Sequence, residues 1–322
     1  MAKSVRAEMS GDRAAHPAGD ARRSKVEIDP IAGSIGAALL GVDLTRSIGD
    51  SLFADIHAAF LEHLVIFFPR QKPLSPTQHG AFAALFGEID HEPFSYPYKT
   101  PTVPGHPEIL INIKEASDRS FNVGGFWHAD VTYRERPHKA AVLYAKEAPR
   151  FGGDTMFANQ YLAWESLSEG LREMLAHRKA VHSSRMVYGG ESARFPSVSR
   201  DEAPRSEHRS FTASLHARAE GLASENEHPV ARTHPETGRR SLYVNRGFTY
   251  CFAHMSVEES RPLLELLWQH AERAEFTCRW RWSVNDVAVW DNRCVLHYAL
   301  NDYSGNRREM HRISVHEETR PC

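Results

Sequence analysis

Phe126-Trp-His-Ala-Asp-Val-Thr-Tyr133 is the stretch around which the rest of the sequence is read. Taken as a strand, its side chains alternate faces, so His128 and Asp130 share one face while Ala129 and Val131 take the other. An imidazole and a carboxylate two residues apart are two parts of a 2-His-1-carboxylate facial set. Such a set suits ferrous iron and leaves positions open for dioxygen chemistry. His-x-Asp alone is a common pair, so its meaning depends on the company it keeps.

Working outward, the downstream half of the chain is rich in short apolar runs. Ala140–Ala145, Thr155–Ala158, Ala180–Ser184, Ser241–Asn245, Thr277–Trp282, Val287–Trp290, Val295–His297 and Arg308–His316 read as strands. Tyr161–His177 and Glu258–Ala274 read as helices among them. Upstream, Val26–Leu44 reads as two short strands around a glycine turn, Ser51–His63 as an amphipathic helix and Leu64–Phe68 as a buried strand. Ser75-Pro76 starts a further helix that ends at Gly87. Many short strands joined by turns predict a sandwich or jelly roll, mainly β with flanking helices. One domain spanning 26–322 is expected, preceded by a disordered tail at 1–25. The polar segment 188–240 is expected to be a lid-like insertion, since a loop of that length is uncommon inside a compact domain.

Composition narrows the function classes. The 322 residues carry a formal net charge of −2, which gives no basic field for nucleic acid. Four scattered cysteines contain no Cys-x-x-Cys pair and argue against a disulfide framework or a thiolate zinc site. No apolar run approaches the ~20 residues that span a bilayer, and the leader lacks a secretory apolar core. A cytoplasmic protein is expected.

Two further blocks carry chemistry. In Val289-Trp-Asp-Asn-Arg-Cys-Val-Leu-His297, an imidazole ends an apolar strand, a natural place for it to point into a jelly-roll interior. In the last strand Arg308, Met310 and Arg312 share a face. Inward guanidiniums are costly unless they meet anions, and the planar fork of arginine suits a carboxylate. Iron with open positions plus an arginine aimed at a dicarboxylate is what a 2-oxoglutarate-dependent oxygenase needs.

WHADVTY, FGGDTMFAN, VWDNRCVLHYALNDY and NRREMHRISV resemble the taurine and 2,4-dichlorophenoxyacetate dioxygenase family, in order and spacing, from Val26 to His316. Through VHSSRMVYG, THPETGRRSLYVN and FTCRWRW the chain looks closest to the (R)-phenoxypropionate dioxygenase branch. The resemblance implies a double-stranded β-helix, Fe(II), 2-oxoglutarate and O2 as cofactor and co-substrates, and His128, Asp130 and His297 as iron ligands. It implies Thr155 and Arg308 on the distal carboxylate of 2-oxoglutarate, with Arg312 near the substrate or the other end of the co-substrate. Tyr96, Tyr98, Val131, Arg185 and Arg312 are the candidate substrate contacts. Where the taurine enzymes carry a sulfonate-binding histidine, this chain has Glu92 beside His91, and Gly124 and Gly125 replace an asparagine. Those departures argue against taurine itself.

The expected activity is hydroxylation, with cleavage where the carbon bears a leaving group, of a small anionic aryloxyalkanoate, sulfonate or alkyl sulfate, releasing succinate and CO2. The alternatives are a secondary-metabolism enzyme that desaturates or oxidatively decarboxylates an amino-acid-derived acid, and a non-catalytic metal-binding jelly roll. The family resemblance also implies a homo-oligomer, dimer or tetramer, while the charge and the lack of a long apolar run lead to the expectation of no nucleic-acid or membrane partner.

Overall fold

A computed structural model describes residues 26–91, 101–118, 124–188 and 224–322. The expected tail, Tyr96, Tyr98 and Glu92 lie outside the described residues. In chain order come β1 (Glu27–Pro30), β2 (Ala37–Leu40), α1 (Asp50–His63), β3 (Val65–Phe68), α2 (Pro76–Ala84), β4 (Thr102–Val103) and β5 (His106–Lys114). Then follow β6 (Ala140–Glu147), β7 (Thr155–Asn159), α3 (Gln160–Glu165), α4 (Glu169–Leu175), β8 (Lys179–Ser183) and α5 (Arg185–Tyr188). After the segment 189–223 come β9 (Glu225–Pro229), β10 (Ala231–Thr233), β11 (Arg240–Leu242), β12 (Thr249–Phe252) and α6 (Val257–Ala271). The chain closes with β13 (Thr277–Trp280), β14 (Val287–Asp291), β15 (Val295–Ala299) and β16 (Arg308–Val315).

Eight strands form the large sheet in the order β1-β2-β3-β14-β6-β16-β5-β4, and β13-β7-β15 form a smaller sheet. The continuous apolar run of β3 is explained by this layering. Ile66 and Phe68 pack with Ile56 and Phe60 of α1 and Phe82 of α2 on one face. Val65 and Phe67 pack with Phe157, Trp282 and Trp290 on the other, between the sheets. A strand covered on both faces has no reason to alternate. Phe67 stacks on Trp280 with ring centroids 4.1 Å apart, which pins the small sheet to the large one.

The local signals for α2 act as read: Ser75 caps it, Gln78 completes a capping box, and Pro76 occupies the first turn. Tyr161–His177 does not run as one helix. Asn159 caps α3 and Ser168 caps α4, so two short helices form where the periodicity suggested one, because each cap satisfies a fresh set of orphan N–H groups. The segment expected to be a lid divides. Residues 189–223 lie outside the described residues, whereas β9 pairs with β8, and β10 with β11, as ordinary sheet.

His79, 1% exposed on α2, lies 5.8 Å from the Tyr144 ring. Burial, and to a lesser degree neighbouring His311, pushes its pKa down from 6.5 to about 3. The unfolded chain therefore binds this proton more readily than the native one. The stability that neutral His79 contributes is complete above pH 6.5 and is lost as pH falls toward about 3. His79→Leu should flatten the acid slope of stability by up to about 1.4 kcal/mol per pH unit between pH 6 and 4. Urea midpoints across that range measure it, and identical slopes would assign the loss to other groups.

Candidate active site

The expectation of a strand at Phe126–Tyr133 is corrected by the structure. His128 forms an isolated antiparallel bridge with His297, and residues 130–133 turn away from it. His128 N–H donates to His297 O at 3.1 Å and His297 N–H donates to His128 O at 2.8 Å. That closed pair sets the two imidazoles side by side, 4.1 Å between centroids. His297 faces the space between the sheets because Val295 shares its face while Leu296 packs on the outer helices. After the bridge the backbone turns sharply, with Val131 at φ 45°, and no pleat is needed to bring Asp130 to the imidazoles.

The ligand atoms converge. His128 Nε2 lies 3.8 Å and His297 Nε2 3.6 Å from Asp130 Oδ1, and the three donor atoms lie within 4.8 Å of one another, all on buried residues. His128 Nδ1 is 2.8 Å from Phe126 O, so Nδ1–H donates there and the Nε2 lone pair is left facing the cluster. Burial holds the His128 pKa below its ordinary value, and burial with the neighbouring His128 holds that of His297 further down. Burial alone would raise Asp130, but the Arg312 guanidinium, whose Nη2 is 2.7 Å from Oδ2, outweighs it and keeps the carboxyl ionised. Two neutral imidazoles and one carboxylate are the donor set that divalent iron takes, so the residues fit the metal.

Arg308 and Thr155 form the second half of the site. Arg308 begins β16, 8% exposed, and its Nε donates to Gly153 O at 3.1 Å. No carboxylate among the described residues is in ion-pair contact with it: Asp154 Oδ2 is held by Arg279 at 2.6 Å, and its charge reaches Arg308 only through space. Burial accordingly lowers the Arg308 pKa from its ordinary value. Gly153 has φ 67°, and a Cβ there would sit 3.1 Å from Arg308 Cδ, so this close approach requires glycine. Thr155 Oγ1 accepts from Trp282 Nε1 at 2.9 Å, which leaves the hydroxyl proton free to donate elsewhere. A buried guanidinium without a carboxylate in contact, held at Gly153 two residues before a free hydroxyl donor, fits one end of a dicarboxylate.

Trp282 was not singled out from sequence as part of the site. Its signal was the i, i+2 pairing with Trp280, which puts both indoles on one side of the chain. Thr155→Val should strand the buried Trp282 N–H at a cost of about 1–3 kcal/mol and weaken 2-oxoglutarate binding by about tenfold, the equivalent of one hydrogen bond. Calorimetric titration under anaerobic conditions checks the second figure.

The other expected substrate contacts fare differently. Val131 is 3% exposed, packed with Tyr133 and Phe248 next to the cluster. Phe248 lies 6.2 Å from the His128 ring, an unanticipated neighbour. Arg185 has a side chain 65% exposed, faces Glu225 at 3.9 Å, and makes no described contact with the cluster. Arg312, expected near the substrate or co-substrate, stands beside the cluster, with its guanidinium against Asp130. A second buried grouping, His234, Asp291 and Cys294, has metal-like composition. Its lone pairs are already used: His234 Nδ1 accepts from the N–H groups of Glu236 and Thr237, Nε2 faces Asp291, and Arg293 grips the same carboxylate through both oxygens.

The chain is similar to known proteins over most of its length. The family described as taurine catabolism dioxygenase TauD, TfdA matches residues 27–314. An alpha-ketoglutarate-dependent sulfate ester dioxygenase of Pseudomonas putida is 36% identical over 292 residues, covering 90% of this chain and 89% of the relative. An alkylsulfatase of Acinetobacter baylyi is 34% identical over 291 residues, covering 90% and 85%. The crystal structure of a taurine dioxygenase from Burkholderia xenovorans superposes with a TM-score of 0.72 at 35% identity, covering 92% of each chain. The protein belongs to the TauD/TfdA family and is an iron(II)- and 2-oxoglutarate-dependent dioxygenase with a jelly-roll fold.

Proposed function

We propose that His128, Asp130 and His297 hold the iron, that Thr155 and Arg308 anchor the distal carboxylate of 2-oxoglutarate, and that the primary substrate is a small alkyl sulfate ester. The observation that carries the substrate reading is the likeness, over about nine-tenths of this chain, to two relatives named for sulfate-ester chemistry. Gly124 keeps the space beside His128 open: a Cβ there would meet His128 Cε1 at 3.0 Å.

Iron with 2-oxoglutarate and O2 supplies a one-oxygen oxidation coupled to formation of succinate and CO2. Hydroxylation of the carbon that bears the sulfate oxygen gives a hemiacetal sulfate, which collapses to an aldehyde and hydrogen sulfate. The chain's share is binding and orientation. Asp130 and the imidazoles fix the metal, Arg308 and Thr155 fix the co-substrate, and Val131, Tyr133 and Phe248 line an apolar flank that keeps water from the reacting carbon.

A panel of alkyl sulfates, sulfonates, aryloxyalkanoates and N-substituted amino acids, scored by succinate release, tests the reading. Alkyl sulfates should give the largest kcat/KM together with stoichiometric inorganic sulfate. Succinate release coupled only to aryloxyalkanoates would transfer the assignment to that class. A cytoplasmic homo-oligomer, dimer or tetramer, belongs to the same proposal, and sedimentation equilibrium reads its assembly state.

A further inference from the structure

Behind the candidate metal ligands, Asn292 stands at the tip of the turn between β14 and β15, 1% exposed. The turn is stiff. Arg293 N and Nε both donate to Asp291 Oδ1, at 2.9 and 2.8 Å, and Asn292 N donates to Lys139 O at 3.0 Å. Asn292 Oδ1 accepts from Asp130 N at 3.2 Å and from Trp290 Nε1 at 3.0 Å. Both partners are donors only, so the carboxamide can face one way alone. Its Nδ2 must then point away from Asp130, where no acceptor among the described residues meets it.

Gln160 mirrors this from the other side. Its Nε2 donates to Ala158 O and Ala271 O at 3.2 and 3.4 Å, which turns Oε1 the opposite way, also without a described partner. Asn292 and Gln160 line the same cavity, together with Ala129, Asn245 and Leu296. Its volume of ≈ 10 Å³ is room for about one water centre. Two residues that each carry a buried polar atom without a described partner thus line one water-sized space.

The turn that carries Asp130 needs holding. Val131, β-branched at φ 45°, occupies a conformation that costs about 1–3 kcal/mol. Thr132 Oγ1 is tied to His182 Nδ1 at 2.9 Å and to Asn245 Nδ2 at 3.2 Å, and Val131 O accepts from Arg134 N at 2.8 Å. Among these tethers it is the Asn292 contact that reaches the peptide of Asp130 itself.

We propose that Asn292 is a positioning residue for Asp130, and that one water in this cavity bridges Asn292 Nδ2 to Gln160 Oε1 and locks the carboxamide plane. The inference rests on Asp130 being an iron ligand. Fixing the Asp130 peptide fixes the direction in which its carboxylate meets His128 and His297, so disturbing the carboxamide should loosen the metal geometry without touching a ligand.

Anaerobic cobalt(II) titration, read by visible absorption rather than by turnover, tests it. Asn292→Ala should weaken cobalt binding about 10- to 100-fold and shift the visible bands, the range seen for outer partners of metal ligands. Gln160→Met, which removes the far anchor, should weaken binding severalfold in the same direction with a near-native melting temperature. A crystal structure should show the bridging water, and a dry cavity would overturn the bridge. An Asn292→Ala protein with wild-type affinity and spectrum would overturn the positioning role. If that variant does not fold, wild-type behaviour of Gln160→Met overturns it instead. A wild-type protein that binds no cobalt at all would sink the iron-site reading, a failure distinct from one confined to the variants.

Discussion

Asp130→Ala should abolish the visible charge-transfer band formed with anaerobic iron(II) and 2-oxoglutarate, and should lower succinate release by more than about 100-fold. Loss of a partner that merely orients a metal ligand costs about 10- to 100-fold, and loss of the carboxylate ligand itself must exceed that. The carboxylate is also the partner of Arg312, at 2.7 Å and with both side chains buried. Breaking such a pair from one side leaves an uncompensated charge and costs on the order of 3–5 kcal/mol. The metal-free variant should therefore melt earlier than the metal-free wild type. A variant that keeps the band at full intensity would remove Asp130 from the ligand set. Asp130→Ala combined with Arg312→Leu should regain stability without regaining the band, which separates the structural cost from the chemical one.

Arg308→Leu should show the reverse balance. Its guanidinium is buried, yet among the described residues it meets a carbonyl, Gly153 O, and no carboxylate. Removing a buried charge that has no carboxylate in contact relieves a desolvation cost, which offsets the lost hydrogen bond and the weak pull of Asp154. The melting temperature of the apo variant should therefore change by only a few degrees. The co-substrate should feel the change fully. Truncating one partner of a buried charge pair costs about 2–5 kcal/mol, on the order of 30- to 4,000-fold in affinity. Wild-type protein should gain thermal stability when iron(II) and 2-oxoglutarate are added, as mass action requires, and Arg308→Leu should gain much less at the same concentrations. An undiminished gain would place the dicarboxylate elsewhere. Arg308→Lys should recover only part of the affinity, since a point charge cannot reproduce a planar fork.

The arginines show how far the sequence could be read. Period-two alternation put Arg308, Met310 and Arg312 on one face of β16, and all three are buried while Glu309 and His311 are not. Alternation gives the face but not the partner. Arg312 also meets Asp130, a partner that alternation could not name, because a turn after His128 carries that carboxylate across the interior from a point 182 residues earlier in the chain. The Tyr161–His177 helix shows a second limit. Its apolar spacing was real, but periodicity cannot sense that Ser168 begins a new helix, since a cap is a local hydrogen bond and not a change in pattern.

Phe126–Tyr133 draws the boundary most clearly. The sequence by itself pointed to a mainly β sandwich or jelly roll, because strand patterning is a statement about which faces are buried, and its resemblance to a family named the candidate metal ligands and chose the jelly roll. It suggested a strand as the means of convergence, and that was decided otherwise. His128 is placed by two hydrogen bonds to His297, and Asp130 by a turn whose peptide is held by Asn292. Those bonds join residues 162 and more positions apart. Only the packing of one sheet upon the other brings such residues within reach, so the candidate ligands were legible in local motifs and their geometry was not.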